Sequence, residues 1–200
     1  MAEIDNKLFV VFDTSSNIEV YNAQTFSQLS VIRVNGLIEP HDIVACREDH
    51  LLFVADKDGI WRVSTTERNQ YEKWLTTESV SGTFYITTLS LTSQRLLVTS
   101  QYRSLRQYNT TVGQLLCTIE LPRYVQDLYH ATETPRGTFV VGHRGTSQDE
   151  LQYAVSTNCC HHGRNWAELF PVLDKTSRST IITVCTVVQN HSLHGSAELL

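Results

Sequence analysis

Glu39-Pro40-His41-Asp42-Ile43-Val44-Ala45, Leu51-Leu52-Phe53-Val54-Ala55-Asp56 and Gly59-Ile60-Trp61-Arg62-Val63 follow one another closely and decide the fold. Each is a short apolar run, too short for a stable helix and rich in the β-branched and aromatic residues that pack well on a pleated surface. Between the second and third runs, Asp56-Lys57-Asp58-Gly59 stands where a hairpin reverses, and Asp-Gly suits the positive φ values of a tight turn. Ile60-Trp61-Arg62-Val63 alternates apolar and polar residues, as does Ile18-Glu19-Val20-Tyr21, the pattern of a half-buried strand. Thr, Val and Ile together supply about a quarter of the chain, which favours sheet over helix.

The three runs recur. The middle one has counterparts beginning at Leu8, Leu97 and Phe139, so the intervals from Leu8 through Leu52 and Leu97 to Phe139 are 44, 45 and 42 residues. A second run follows each at a short offset: Ile18–Tyr21, Ile60–Val63, Leu105–Tyr108 and Gln152–Val155. A third precedes three of them, at His41–Val44, Ile86–Leu89 and Val125–Leu128, and an outer run is legible at Ser27–Val34 and Gln114–Leu121. Four short strands per unit at this period are the mark of a β-propeller, because one four-stranded blade cannot bury both faces alone and stacked blades bury them between one another. The fold class is therefore all-β: about four recognisable four-stranded blades over residues 1–156, the first beginning mid-blade, in a ring that is complete or incomplete.

The residues of the second unit, Pro40-His41-Asp42-Ile43 with Val54-Ala55-Asp56 and the alternating strand after Gly59, resemble the NHL-type and YVTN-type propeller repeat. The third unit, Tyr85 to Pro122, keeps the spacing but lacks the Pro and the Val-Ala-Asp. The fourth, Tyr124 to about Ser156, keeps Gln126-Asp127-Leu128 and Phe139-Val140-Val141. No Trp-Asp closes a unit and no Gly-His opens one, so the WD40 type fits less well. The resemblance implies a propeller that presents loops at one end of its ring to a partner; some NHL propellers also bind RNA.

Residues 157–200 break the pattern and read as a non-repeat tail. Thr157 to Trp166 matches no blade element, Ala167 to Leu173 reads as a short helical or irregular segment, and Thr180–Val188 is a strand candidate. Three arrangements are open: a compact four-bladed ring in which the late strand completes the first blade, an open part of a larger propeller, or a terminal stretch foreign to the fold. The last two are favoured. An open ring would leave blade faces and strand edges free to associate.

Composition sets the class. The chain has 200 residues, 41% hydrophobic and 18% charged, with a net charge of −5. That is enough apolar material for a core and too little charge for disorder. No apolar window approaches a membrane span, and the first residues lack a basic, apolar leader, so a soluble cytoplasmic protein with no membrane partner is expected. Five irregularly spaced cysteines fit a reducing compartment. Net acidity with four Lys argues against DNA and leaves RNA only a small strip at Arg62, Arg103 and Arg106. Neither a phosphate-binding loop, a Gly-x-Ser-x-Gly elbow, a His-Glu-x-x-His nor a Cys-x-x-Cys occurs.

In a propeller the innermost strand of each blade lines the channel, and the loop leading into it faces one end of the ring. That placement groups Glu39, His41 and Asp42 from the second unit with Tyr85 and Thr87 from the third and Tyr124, Gln126 and Asp127 from the fourth. The expected role is a non-catalytic scaffold that binds a protein or peptide there, without cofactor or metal, since Tyr is favoured at interfaces. Carboxylates and a His near the axis would also serve a calcium-dependent propeller hydrolase or lyase. Against that, Asp42 and Asp127 are expected to hydrogen-bond the backbone of neighbouring blades. Trp61 is expected to pack between blades. Cys159-Cys160-His161-His162 lacks the paired spacing of structural zinc sites.

Overall fold

The computed structural model describes residues 1–67, 70–76, 86–100, 104–121, 125–134, 138–145, 157–159, 165–172 and 181–188. The described chain is all-β. The first sheet contains β1 (Ala2–Ile4), β2 (Lys7–Val11), β3 (Asn17–Asn22) and β4 (Gln28–Arg33); the second, β5 (Asp42–Cys46), β6 (Leu51–Asp56), β7 (Gly59–Ser64) and β8 (Tyr71–Thr76). The third contains β9 (Ile86–Thr92), β10 (Arg95–Ser100), β11 (Ser104–Asn109) and β12 (Leu115–Glu120). All three are antiparallel meanders in chain order. The fourth holds β13 (Val125–Glu133), β14 (Thr138–Gly145), β15 (Thr157–Cys159), β16 (Asn165–Val172) and β17 (Ile181–Val188), in the order β13-β14-β17-β16-β15. The first strands of successive sheets pack side by side, β1 on β5, β5 on β9 and β9 on β13. Among the described residues no comparably extensive packing joins β13 to β1. This is the arrangement of an incomplete β-propeller.

Three apolar layers hold the blades together. Ile4, Phe9, Ile18 and Val20 meet Ile43, Leu52, Val54 and Trp61 between the first two sheets. Phe53, Ala55 and Ile60 meet Leu89, Leu96 and Val98 between the second and third. Leu97, Leu105 and Ile119 meet Val125, Leu128, Phe139 and Val141 between the third and fourth. Alternate residues of β6 thus serve two different layers, which is why Leu52–Asp56 is a continuous buried run. β3 has one covered face and alternates: Ile18 and Val20 are buried while Glu19 and Tyr21 are half-buried. β7 differs from its half-buried expectation, because Ile60 is buried in the layer opposite to the one taken by Trp61 and Val63.

Several sequence expectations are corrected. The first unit does not begin mid-blade: β1 is its innermost strand, with Ala2 opposite Phe9 and Ile4 opposite Lys7. The segment expected to be helical or irregular after Trp166 is β16, paired to β17 with Leu169 opposite Cys185. The Thr180–Val188 strand candidate forms as β17, but not as a completion of the first blade. It pairs with β14, Phe139 opposite Cys185 and Val141 opposite Thr183. The place in the first sheet is already taken by β1, whereas β14 offers a free edge. The run Gln152–Val155 lies outside the described residues. In the β6–β7 hairpin Asp56 pairs with Gly59, so Lys57 and Asp58 form the turn and Gly59 begins the next strand. Gly59 is needed there for another reason: a Cβ would sit 2.0 Å from the Leu75 carbonyl oxygen of β8.

Candidate functional site

The antiparallel order puts the approach to each innermost strand at the same end as the turn between the second and third strands of each blade. For the first two blades these are residues 12–16, 34–41 and 57–58. The 34–41 loop is built to a fixed shape. Val34 and Leu37 are buried, and the Leu37 N–H donates to the Val34 carbonyl at 3.2 Å. Gly36, at φ 93°, lies against the Trp61 ring, where a Cβ would approach to 3.3 Å. The Ile38 N–H donates to Asp56 Oδ2 at 3.2 Å, the Lys57 N–H to the Ile38 carbonyl at 3.1 Å, and the His41 N–H to the Ala55 carbonyl at 3.0 Å. The Val34 N–H also reaches the Ser16 carbonyl at 3.3 Å, tying in the neighbouring 12–16 turn.

This frame turns apolar side chains outward. Ile38 and Phe12 are each 44% exposed. Beside Ile38, Glu39 adopts φ 49° and pairs with Lys57 at 3.4 Å, both ends exposed, a contact worth less than about 1 kcal/mol. His41 is exposed, its Nδ1 3.3 Å from the Glu39 carbonyl oxygen. Sequence reasoning found Glu39 and His41 but missed Ile38, Phe12 and Lys57. A signal existed for Ile38: in Gly36-Leu37-Ile38-Glu39-Pro40 two adjacent apolar residues share a short loop, and only one can turn inward.

The two repeat carboxylates have structural tasks. Asp42 Oδ2 accepts from the Leu89 N–H of β9 at 2.6 Å, and its Oδ1 accepts from the Ile43 N–H at 2.8 Å. Asp42 thus stitches two blades together, the structural use expected for a repeat Asp. Asp56 is buried and accepts from Trp61 Nε1 at 2.6 Å, the Ile38 N–H and the Asp58 N–H. Trp61 is the expected interblade packing residue, in the layer between the first two sheets, with Lys73 Nζ 5.2 Å from its ring centroid.

The other candidates are placed only by backbone. Thr87 lies at the irregularity in β9 between the pairs Thr88–Thr99 and Ile86–Ser100, two residues before the N–H that Asp42 engages. Gln126 pairs with Arg144, and Asp127 occupies the irregularity before Leu128. Tyr85 and Tyr124 lie outside the described residues, as does Arg103. Of the expected basic strip, Arg62 pairs with Glu72 and Arg106 hydrogen-bonds Tyr108. Cys160, His161 and His162 are also outside the described residues, within which no cluster of three His, Cys, Asp or Glu side chains could hold a metal.

Away from this end, a buried polar group bridges the third and fourth blades. The Glu133 carboxylate accepts from Gln107 Nε2 at 2.7 Å and faces Arg95 at 3.3 Å. Burial pushes its pKa above the ordinary carboxylate value, against the opposing pull of Arg95 and Gln107. Burial likewise raises the Cys46 thiol, so this free cysteine is a packing residue rather than a reactive thiolate.

No protein-family model matches the chain, and no curated protein matches it. Among solved structures it is similar to the hydrazine synthase of Kuenenia stuttgartiensis, a β-propeller-containing protein, with a TM-score of 0.56 and 15% identity. The match covers 83% of this chain and 49% of that one, so the chain spans about half the length of that structure. At this identity the likeness shows the fold alone. Among the described residues no helix is long and apolar enough to cross a membrane.

Proposed function

We propose that the chain is a non-catalytic binding module, a cytoplasmic β-propeller of NHL/YVTN type that receives a protein or peptide on the end formed by residues 12–16, 34–41 and 57–58. The observation that carries this reading is the 34–41 loop. Two backbone hydrogen bonds to the β6–β7 hairpin and a third from the Ile38 N–H to the Asp56 carboxylate hold it still while Ile38 is turned to solvent. An apolar side chain on a pre-ordered loop binds without a large ordering cost, and such anchors supply most of the energy at protein interfaces. The NHL/YVTN assignment is supported by the tasks of Asp42 and Asp56, which sit at the repeat's Asp-Ile and Val-Ala-Asp positions and bind backbone N–H groups. The same engagement weighs against a calcium-dependent hydrolase or lyase, since these oxygens are already turned toward N–H donors.

Affinity capture with three forms of the chain tests the proposal. A protein captured by the unaltered chain should be lost with Ile38→Asp and retained with Val112→Asp, which alters a residue 69% exposed at the opposite end. Equal capture by all three would sink the reading. Saturable calcium binding lost in Asp127→Asn would move the function to the hydrolase or lyase class.

A further inference from the structure

Each blade has one face toward the blade before it in the chain and one toward the blade after it. In the second blade the first of these faces carries Leu52 and Val54, which stand opposite Val63 and Trp61 on the next strand. In the third it carries Leu96 and Val98, opposite Tyr108 and Arg106. Leu52, Val54 and Val63 are 0%, 0% and 1% exposed, and Leu96, Val98 and Tyr108 are 0%, 2% and 3% exposed, because the preceding blade covers them.

The first blade repeats this face position by position. Leu8 stands opposite Tyr21, and Val10 opposite Glu19, which in turn stands opposite Val31 of β4. Tyr21 hydrogen-bonds Glu19 as Tyr108 does Arg106. Phe9, Ile18 and Val20 alternate to the other face, in the layer shared with the second blade. Leu8, Val10, Tyr21 and Val31 belong to none of the three apolar layers. The first three are only half-buried, and Val31 is 44% exposed. The face has the composition of a blade seam without the blade that would cover it.

Within this chain such a face is covered each time by the opposite face of another blade. Phe9, Ile18 and Val20 cover the second blade, and Phe53, Ala55 and Ile60 cover the third. The fourth blade has a covering face of this kind. Phe139 and Val141 enter the layer with the third blade, so Val140 and Gly142, both half-buried, alternate to the other side. The register carries Val140 across to Val184 and Phe170, and Gly142 to Ile182 and Val172, two rows that are apolar apart from the glycine. Among the described residues no further sheet follows it.

We propose that the two faces meet between two copies of the chain: the first blade of each copy is covered by the fourth blade of the other. Two identical seams then close twice the four sheets into one eight-bladed ring. Propellers run from about four to eight blades, and a head-to-tail contact that closes on itself gives a ring. The second copy is the occupant because its fourth blade offers the kind of seam this chain already makes three times, whereas no extensive packing joins β13 to β1 of the same copy. Burial of apolar surface drives the association. The loops at the end of the ring stay free, so neither this proposal nor the one above depends on the other.

Light scattering on a sizing column tests the proposal with the full chain. The mass should be twice the 22.7 kDa of one copy. Val31→Asp, at an exposed position, should weaken dimerisation at least about tenfold and leave the circular dichroism spectrum intact. Val10→Asp/Val31→Asp and, on the other face, Val140→Asp should each give a monomer. An equimolar mixture of those two altered chains should regain the dimer mass, because one intact seam forms between them, and this recovery also shows that both fold. Ile38→Asp should leave the mass unchanged. A monomeric unaltered chain would overturn the proposal and assign the open face to a different protein or to blades beyond these. A dimer that survives Val10→Asp/Val31→Asp, or a mixture that stays monomeric, would overturn it too. So would a dimer kept by Val140→Asp, which would mean that two first blades pair face to face, or a mass that climbs past two copies with concentration, which would mean an unclosed stack.

Discussion

The Asp42 carboxylate takes the backbone N–H of Leu89 at 2.6 Å, joining the first strand of the second blade to the first strand of the third. Asp42 thus has the structural use expected of a repeat Asp, holding two blades together.

Asp42→Ala should destabilise the chain by about 1–3 kcal/mol, the cost of leaving a buried donor unpaired. Asp42→Asn, which keeps an acceptor, should lose less. Urea unfolding midpoints of the two variants measure the difference, and equal losses would deny the interblade bond its role.

Gly59→Ala should be among the most damaging single changes. The added Cβ would overlap a backbone oxygen at 2.0 Å, and neither β7 nor β8 can withdraw without breaking the sheet. Loss of a cooperative thermal transition is the expected readout, whereas Gly36→Ala, which meets the Trp61 ring at 3.3 Å, should be milder.

Phe53→Ala removes a fully buried ring from the layer between the second and third blades, where it meets Trp74 edge-on at 5.0 Å. A loss of about 3–5 kcal/mol is expected. A loss under about 1 kcal/mol in denaturant titration would mean that this layer is loosely packed.

Glu133 gives the stability a pH dependence. Its pKa is raised in the folded chain above the ordinary 4.5, so the folded state holds this proton where the unfolded state has lost it. The contribution is complete below the unfolded value and falls as pH rises through the folded one. Between pH 4.5 and neutrality, Glu133→Gln should therefore flatten the decline of the unfolding midpoint with pH. An unchanged slope would show that burial does not perturb this group.

Much of the architecture is legible in residue order, because strand period, turn chemistry and repeat spacing are local properties. Leu8, Leu52, Leu97 and Phe139 mark the second strand of each blade, and Pro40 to Val63 identifies the unit. Asp42 was expected to bind a neighbouring blade, and it does. The outward turn of Ile38 is not legible, since nothing in Leu37-Ile38 says which side chain turns inward; Trp61 and Asp56 decide that from another strand.

The sequence by itself determined that this chain is a set of β-blades, since the alternation of apolar residues and the 42 to 45 residue spacing are set by covalent order. Only the tertiary structure decided what pairs with what. β17 joins β14 across residues 146–180, and any β-branched strand offers the same backbone donors and acceptors to any free edge. The choice among edges depends on which are already occupied, as β1 occupies the first blade. Whether a carboxylate serves a blade seam or a ligand depends in the same way on which N–H lies across from it, and that is fixed only when the blades pack.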